Sequence, residues 1–328
     1  MTEFFLRLIT RVAGVIRFLM PRAIRLSIDY LQPQYAEAFL EEDSLLRTNA
    51  LRHLAMLRQK IHPPKESYIV DVKIDHEIPM MVNVCQQYCG DMYYGVGFEQ
   101  SELSFVKQFV GDGDVFFDVG ANIGVYSLMA SRLVGNSGQV HAFEPLADAF
   151  DLLKKNVDLN HASNVTLNPV AVGDTIGEAS LFVNAQSALS SLGRTNRGEF
   201  LNVQKVPVWT LDHYVKRMGI NSINFLKIDV EGFEGHVLRG AAEALSRSSD
   251  LIVLSELAKK NFEPLGFSVN DVLDWMRGFG YEAWMIRNDI LRLHYVPSNS
   301  VEYPFQNFVF IRRENKKYNL LKNYEKSL

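Results

Sequence analysis

Residues Val115–Ser127 read Val-Phe-Phe-Asp-Val-Gly-Ala-Asn-Ile-Gly-Val-Tyr-Ser. The apolar run that reaches Asp118 and Gly120 predicts a strand buried on both faces, then a glycine turn, then a helix. Gly120 and Gly124 let the backbone approach a ligand closely, because they carry no Cβ. The free N–H groups at the start of the helix would face that ligand. This layout predicts a site for a nucleotide-like molecule.

A second strand pattern, Gln139–Glu144, ends in a carboxylate about twenty residues further on. Glu144 can accept hydrogen bonds from both hydroxyls of a ribose. The turn departs from the dinucleotide fingerprint G-x-G-x-x-G, because Ala-Asn-Ile separates Gly120 from Gly124, and pyrophosphate binding loses its main support. An adenosine ligand without phosphate needs no third glycine. We therefore expect S-adenosyl-L-methionine.

Four blocks of sequence follow one another in an order that is typical of one family. They are Gly113–Gly124, Phe143–Pro145, Asn168–Asp174 and Leu226–Glu234, with shorter support from Ser190–Leu192 and Thr210–Asp212. In these blocks, over roughly residues 99–257, the chain resembles the FkbM family of S-adenosylmethionine-dependent O-methyltransferases. It departs from many relatives at Phe233, where histidine is common, and at His213, where a second acidic residue is common.

The alternation of strands and helices predicts an α/β fold with a parallel sheet covered by helices. The resemblance implies a seven-stranded, Rossmann-like class I methyltransferase sheet with an antiparallel last strand. We expect an N-terminal helical extension (1–65), a methyltransferase domain (66–313) and a basic C-terminal tail (314–328) that is solvated. The main predicted strands are 115–119, 139–144, 165–172, 179–184, 204–209, 224–230, 251–256, 281–287 and 307–312, and the main predicted helices are 123–134, 146–160, 211–218, 233–245 and 271–279.

Ligands of open α/β sheets lie beyond the carboxyl ends of the strands, so four acids should reach one rim: Asp118, Glu144, Asp229 and Glu256. Each alone could instead cap a helix or hold a loop. We expect Glu144 to bind the ribose and Asp118 to order the methionine end. The resemblance implies an adenine-side loop at Asn168–Asp174. The residues expected at the donor are Asp118, Gly120, Asn122, Gly124, Glu144, Ala171 and Val172.

The reacting end is expected at Asp229 and Glu231, because residues i and i+2 of a strand project the same way. Two carboxylates there could deprotonate a hydroxyl. With Glu256, they could also hold a divalent metal ion. Lys227 should lie on the same face but deeper.

A histidine base is the alternative, since neutral imidazole suits neutral pH. The candidates His141, His213 and His236 are each more often structural, and Asp212 is expected to cap a helix.

Composition narrows the class of protein. Among 328 residues, Lys and Arg total 34 and Asp and Glu total 38, so the net charge of −4 offers no large cationic field and nucleic acid is not expected as a partner. Two cysteines, Cys85 and Cys89, form neither a disulfide framework nor a zinc site, which favours a reducing, cytoplasmic location and a packing role.

The N-terminus predicts an amphipathic helix over residues 1–26, with apolar residues at helical spacing and several arginines, followed by a helical region at Pro33–Lys60. The first helix either contacts an anionic membrane surface peripherally or packs on the domain or on a partner subunit, as an oligomer would require. The absence of a cleavage site argues against a signal peptide, and the arginines argue against a span.

The main hypothesis is a methyltransferase that acts on oxygen, because the fourth strand carries Asp229-Val-Glu-Gly and not the proline-rich motif of amino-methylating enzymes. The resemblance implies that the acceptor is a hydroxyl of a sugar, a glycan or another small molecule such as a secondary metabolite. Two alternatives remain open: a nicotinamide-dependent oxidoreductase, and a non-catalytic scaffold that retains the fold.

Overall fold

A computed structural model of the chain describes residues 69–74, 77–94, 98–193, 198–262, 265–266, 268–286, 291–297 and 305–325. The predicted helices at 1–26 and 33–60 and the predicted boundary near residue 65 lie outside these ranges and stay predictions. The described residues form two compact units, divided between Glu99 and Gln100. In the part of the chain described, no helix is long and apolar enough to cross a membrane.

The first unit contains the antiparallel strands β1 (Ile69–Ile74) and β2 (Ile78–Asn83), followed by helix α1 (Gln87–Tyr94). Cys89 is buried within α1, and burial raises the pKa of its thiol to about 11. Cys85 is half-buried and precedes the helix. The burial of Cys89 agrees with the packing role predicted for it.

The second unit alternates strands and helices as the sequence predicts. Its strands are β3 (Val115–Val119), β4 (Gln139–Phe143), β5 (Val165–Asn168), β6 (Ala171–Val172), β7 (Gly177–Asn184), β8 (Phe200–Trp209), β9 (Phe225–Ile228), β10 (Ile252–Ala258), β11 (Glu282–Ile286), β12 (Leu293–Tyr295) and β13 (Phe305–Ile311). Its helices are α2 (Gln100–Phe109), α3 (Val125–Val134), α4 (Ala147–Leu159), α5 (Leu211–Met218), α6 (Glu234–Arg239), α7 (Ala242–Arg247), α8 (Lys259–Phe262), α9 (Val269–Gly278) and α10 (Tyr318–Lys322).

The large sheet has the strand order β12-β11-β13-β10-β9-β3-β4-β5. Strands β5, β4, β3, β9 and β10 are parallel, while β13 runs antiparallel to both β10 and β11, which confirms the antiparallel last strand. The expected count of seven strands is wrong by one. Strand β12 extends the edge by pairing Tyr295 with Trp284, and a strand of three residues is too short to produce a period in the sequence.

A small sheet with the order β6-β8-β7 stands apart from the large one. The sequence predicts one strand over residues 165–172, but the structure divides it: Val165–Asn168 joins the large sheet, and Ala171–Val172 pairs with β8. Pro169 lies between them and has no N–H to donate to a ladder, which accounts for the break.

The helix predicted over residues 233–245 is also divided, into α6 and α7, at Gly240. A Cβ on Gly240 would lie 2.0 Å from the carbonyl oxygen of Gly173, so the chain here packs backbone against backbone. The helical spacing of apolar residues continues across Gly240, so the sequence pattern does not indicate that the helix is interrupted there.

The central strands are buried on both faces, as expected for parallel strands covered by helices. Every residue of β9 is buried, and Phe117, Leu226 and Val253 on three neighbouring strands belong to one hydrophobic cluster. This rigid layer holds the carboxyl ends of β4, β3 and β9 at one edge.

The described part of the C-terminal tail packs on the domain, contrary to the solvated end that was predicted. Lys317 Nζ donates to Asp114 Oδ2 and to the Phe109 carbonyl, both at 2.7 Å, and the ring of Tyr324 lies 6.1 Å from that of Phe109. Lys317 thus has buried partners, which composition alone does not indicate, while Lys316 and Lys322 are exposed.

Candidate functional site

Three acids converge at the carboxyl ends of neighbouring strands. Asp118 lies near the end of β3, Glu144 follows β4, and Asp229 follows β9. The sheet order places β3 between the other two strands, so the rim predicted from the sequence is present. Glu256 lies inside β10, the next strand, and one of its carboxylate oxygens is within 4.8 Å of one of Asp229.

The glycine turn after β3 is pressed against the end of β9. Gly120 has a φ of 79°, and a Cβ there would lie 1.9 Å from the Asp229 carbonyl oxygen. The N–H groups of Gly120 and Ala121 both donate to the Phe143 carbonyl at 3.0 Å. Gly124 precedes α3 with a φ of 95°, and a Cβ there would collide with the Leu153 side chain. Both glycines are therefore required by geometry.

Replacing Gly120 with alanine should disrupt this turn, and Gly219 provides a matched control. Both residues have positive φ, but a Cβ on Gly219 meets nothing within 4 Å. Gly219→Ala should therefore cost only the backbone strain, about 1 kcal/mol. Gly120→Ala must also move the chain at Asp229. Thermal unfolding should show a much larger fall in Tm for Gly120→Ala, and equal losses would contradict this reading of the turn.

Glu144 is buried, and both of its carboxylate oxygens accept backbone hydrogen bonds. Oε2 accepts from the N–H of Asn122 and Oε1 from the N–H of Leu146, each at 2.8 Å. Burial raises the pKa of Glu144 to about 7, against the effect of these two hydrogen bonds. Asn122, whose φ is 49°, thus contributes its backbone N–H to the turn.

A buried lysine connects the two sides of the site. Lys227 is 6% exposed, and its Nζ lies 3.3 Å from Asp229 Oδ2, 3.8 Å from Asp118 Oδ1 and 3.4 Å from the Gly120 carbonyl oxygen. It also lies 4.8 Å from the centre of the Tyr126 ring. The sequence placed Lys227 on this face, but i+2 spacing alone does not reveal that it contacts Asp118 across the sheet.

Asp118 is fully buried. Its Oδ2 accepts a 2.6 Å hydrogen bond from Ser127 Oγ in α3, while Oδ1 has no hydrogen-bond partner among the residues described. Burial raises the pKa of Asp118, and the Lys227 ammonium and the Ser127 hydrogen bond oppose that rise. Oδ1 of Asp118 can therefore accept a hydrogen bond at the end of β3.

Asp229 and Glu231 do not form the expected pair on one face of a strand. Strand β9 ends at Ile228, and Glu231 has a φ of 53°, so the alternation of a strand no longer applies. Glu231 Oε2 accepts a 2.8 Å hydrogen bond from Asn261 Nδ2. Asp229 keeps 27% of its side chain exposed and directs Oδ2 to Lys227. Asp229 is thus the more accessible of the two acids.

The turn that follows Asp229 is fixed by side chains from three separate elements. Glu234 Oε1 accepts from the N–H of Val230 at 3.0 Å and of Gly232 at 3.1 Å, and Ser191 Oγ donates to the Val230 carbonyl at 3.1 Å. Asn261 supplies the third contact, through Glu231. Burial raises the pKa of Glu234 to about 7. Sequence reasoning assigned no role to Asn261 or Glu234, because contacts between distant segments leave no local pattern.

The expected adenine-side residues Ala171 and Val172 are both buried, in β6. Ala171 pairs with Val208 of β8, so these two residues also hold the small sheet together. After this strand, Asp174 Oδ2 lies 2.7 Å from His236 Nδ1, whose ring stacks on Phe233 at 4.0 Å.

The histidine alternatives have structural partners in two cases. His236 pairs with Asp174, and His141 Nδ1 lies 2.9 Å from the Tyr214 hydroxyl. Burial lowers the pKa of His141 to about 4. The backbone N–H of His213 donates to Thr210, the N-cap of α5. Asp212 caps a helix as expected, but that helix is α7, because its carboxylate accepts from the N–H groups of Glu243 and Ala244.

A cavity of about 680 Å³ lies at the opposite end of the sheet from the acids. Its lining includes Gln139 and His141 from β4, Asn164 before β5, and Ile220. These residues surround the amino ends of the strands, whereas ligands of open α/β sheets bind at the carboxyl ends. The rim at Asp118, Glu144 and Asp229 therefore remains the candidate site.

Comparison with known proteins identifies the family. The family model described as the Methyltransferase FkbM domain matches residues 118–283, half of the chain. The chain belongs to the FkbM methyltransferase family. The resemblance seen in the sequence blocks is confirmed, and the matched range of this FkbM domain contains Asp118, Glu144, Lys227 and Asp229.

Two curated proteins are among the relatives of this FkbM chain. The hexuronic acid methyltransferase AglP of Haloferax volcanii is 28% identical over 155 residues, which cover 47% of this chain and 61% of that protein. The 31-O-demethyl-FK506 methyltransferase FkbM of Streptomyces tacrolimicus is 31% identical over 160 residues, which cover 40% of this chain and 61% of that protein. The chain thus spans about three fifths of the length of these relatives.

Among solved structures, a methyltransferase FkbM from Methylobacillus flagellatus aligns over 85% of this chain and 57% of its own, with 15% identity and a TM-score of 0.42. The α/β fold is established by the strand order and directions described above.

Proposed function

We propose that this chain transfers a methyl group from S-adenosyl-L-methionine to a hydroxyl oxygen of a sugar, a glycan or a small secondary metabolite. The convergence of Asp118, Glu144 and Asp229 around the glycine turn, in a chain of the FkbM family, carries the proposal. Family membership favours methyl transfer over the nicotinamide-dependent oxidoreductase.

The donor fits the residues that are present. Each carboxylate oxygen of Glu144 accepts one backbone hydrogen bond and can accept a further one from a ribose hydroxyl. Oδ1 of Asp118 accepts no hydrogen bond from the residues described and suits the amino group of the methionine end. Gly120 and Gly124 shape the turn below, with Ala171 and Val172 on the adenine side.

Asp229 is the proposed general base. S-adenosyl-L-methionine supplies an activated methyl group, so the protein needs mainly to align the acceptor and to receive its proton. Lys227 occupies Oδ2 of Asp229, which leaves Oδ1 for an acceptor hydroxyl. Glu231 is proposed to orient this turn through Asn261 and not to act as a second base.

The relatives support the proposed class of acceptor. Two of them are named as methyltransferases of a hexuronic acid and of 31-O-demethyl-FK506. Both molecules offer hydroxyl oxygens, which supports an oxygen acceptor here. A divalent metal ion stays a prediction at Asp229 and Glu256, whose carboxylate oxygens approach within 4.8 Å, while Glu231, the third ligand expected, turns to Asn261. The cytoplasmic location, an oligomer and membrane contact through residues 1–26 also stay predictions.

Donor binding should depend on pH through Glu144. Its pKa of about 7 lies above the ordinary value, so the free site holds a proton on this carboxyl below pH 7. An ionised carboxyl accepts stronger hydrogen bonds from the ribose hydroxyls than a protonated one does, so affinity falls as the pH falls through 7. S-adenosylhomocysteine should bind about tenfold more weakly at pH 6 than at pH 8 by calorimetry.

Glu144→Gln is the control for this pH dependence. Its weaker binding should be nearly independent of pH, and Glu234, whose pKa is also about 7, is present in both proteins and cancels in the comparison. A parallel pH dependence in the two proteins would exclude Glu144 as the titrating group.

The function is tested with methyl-labelled S-adenosyl-L-methionine and a panel of sugars, uronic acids, glycans and polyketide-type alcohols. Mass spectrometry should locate the label on an oxygen of one acceptor class, and chelation with EDTA tests the metal. A thermal shift with a nicotinamide cofactor but none with S-adenosylhomocysteine would favour the oxidoreductase. Donor binding without transfer to any acceptor would favour the scaffold.

A further inference from the structure

Lys227 is the cation that separates two carboxylates at the centre of the candidate site. Its Nζ lies 3.8 Å from Asp118 Oδ1 and 3.3 Å from Asp229 Oδ2, and these two acids stand at the donor and acceptor sides of the proposed reaction. Asp118 and Lys227 are register partners on β3 and β9, so the buried sheet fixes the ammonium between the acids. Lys227 is therefore placed to offset the charges of both acids.

We propose that Lys227 is a positioning residue that sets the charge of the donor site, so that the cationic donor is not bound much more tightly than the neutral product. This inference rests on the proposed function, because it assumes that the donor binds at the rim above Gly120. It gives Lys227 a role in setting the relative affinities for S-adenosyl-L-methionine and S-adenosylhomocysteine.

The reaction changes the charge in this site by one unit. The bond between the methyl carbon and sulfur breaks with its electron pair left on sulfur, so that a sulfonium becomes a neutral thioether. An oxygen lone pair of the acceptor forms the new bond to carbon, and the hydroxyl proton passes to Asp229. The positive charge on sulfur therefore declines as the transition state is reached.

A site that is too negative would slow this reaction. Carboxylates whose negative charge is not offset attract the sulfonium of the bound donor. They stabilise the ground state more than the transition state, because part of the positive charge on sulfur has gone in the transition state. Such binding does not accelerate the chemical step. Lys227 offsets part of the negative charge of Asp118 and Asp229. The Gly120 carbonyl and the Tyr126 ring hold its ammonium in place.

The test compares the affinities of S-adenosyl-L-methionine and S-adenosylhomocysteine in the full chain by calorimetry. Lys227→Met removes one positive charge with little change in length. The ratio of the two affinities should shift by about tenfold or more in favour of the sulfonium. A role confined to structure would weaken both ligands alike and leave the ratio unchanged, which would overturn the inference.

Asp229→Asn and the double variant make the test independent of how well Lys227→Met folds. Asp229→Asn removes a negative charge and should shift the ratio by a similar factor in the opposite direction. Lys227→Met with Asp229→Asn restores the charge sum and should return the ratio to within about threefold of the original. A double variant that keeps the full shift of either single variant would contradict charge balance.

Lys317→Met is the matched control, because Lys317 is also a partly buried lysine paired with an aspartate, Asp114, but lies away from the rim. Lys317→Met should leave the ratio of the two ligand affinities unchanged. In turnover, Lys227→Met should lower both kcat and the KM for the donor, which is the signature of a ground state bound too tightly. Failure of the unaltered chain to bind either ligand would refute the proposed function itself, whereas normal binding with an unshifted ratio would refute only the role of Lys227.

Discussion

Glu144→Ala should abolish measurable binding of S-adenosyl-L-methionine and S-adenosylhomocysteine. The substitution removes the acceptor of two ribose hydrogen bonds, and bonds to a charged group contribute about 1.5–3 kcal/mol each, so affinity should fall on the order of a hundredfold or more. It also leaves the N–H groups of Asn122 and Leu146 without the carboxylate that now accepts from them. Isothermal calorimetry with both ligands measures the loss.

Glu178→Ala provides the control for Glu144→Ala, because Glu178 is an exposed glutamate of β7. It should bind both ligands normally. Circular dichroism should show that Glu144→Ala is folded, and thermal unfolding should show a lowered Tm, because the N–H groups of Asn122 and Leu146 lose their acceptor. Full affinity in Glu144→Ala would remove the ribose assignment.

Asp229→Asn should lower kcat by about two to four orders of magnitude, the range for loss of a positioned base. Asparagine keeps the shape of the side chain and can still accept a hydrogen bond from Lys227, so the affinity for neutral S-adenosylhomocysteine should change by less than about threefold. Single-turnover transfer of labelled methyl, measured beside calorimetry, separates the two effects.

Asp250→Asn serves as the comparison for Asp229→Asn. Asp250 pairs with Lys316 at 3.2 Å at the surface, outside the rim, and its replacement should leave turnover unchanged. Undiminished kcat in Asp229→Asn would assign proton removal to another group. Glu231→Gln, which keeps an acceptor oxygen for Asn261, should retain most of the activity if Glu231 only orients the turn.

The donor side of the site was readable from the sequence because its signals are local. The strand through Asp118, the turn at Gly120 and the carboxylate at Glu144 each follow from neighbouring residues, and the parallel order of strands then brings them to one rim. The structure reproduces β3 and α5 with the predicted bounds.

The reacting side was less readable because it depends on contacts between distant segments. The i+2 rule paired Asp229 with Glu231, but β9 ends before both residues, and Glu231 turns to Asn261. The contact of Lys227 with Asp118 joins β9 to β3. The prediction of a single strand over residues 165–172 overlooked the proline at which the chain passes from one sheet to the other. Strand periodicity carries no information about such partners.

The central claim is tested most directly by a crystal structure of the chain with S-adenosylhomocysteine. The account predicts that the ribose hydroxyls lie within hydrogen-bonding distance of Glu144 and that the sulfur faces Asp229 across the turn at Gly120. A ligand found instead in the cavity at the amino ends of β4 and β5, beside Gln139 and Asn164, would contradict it.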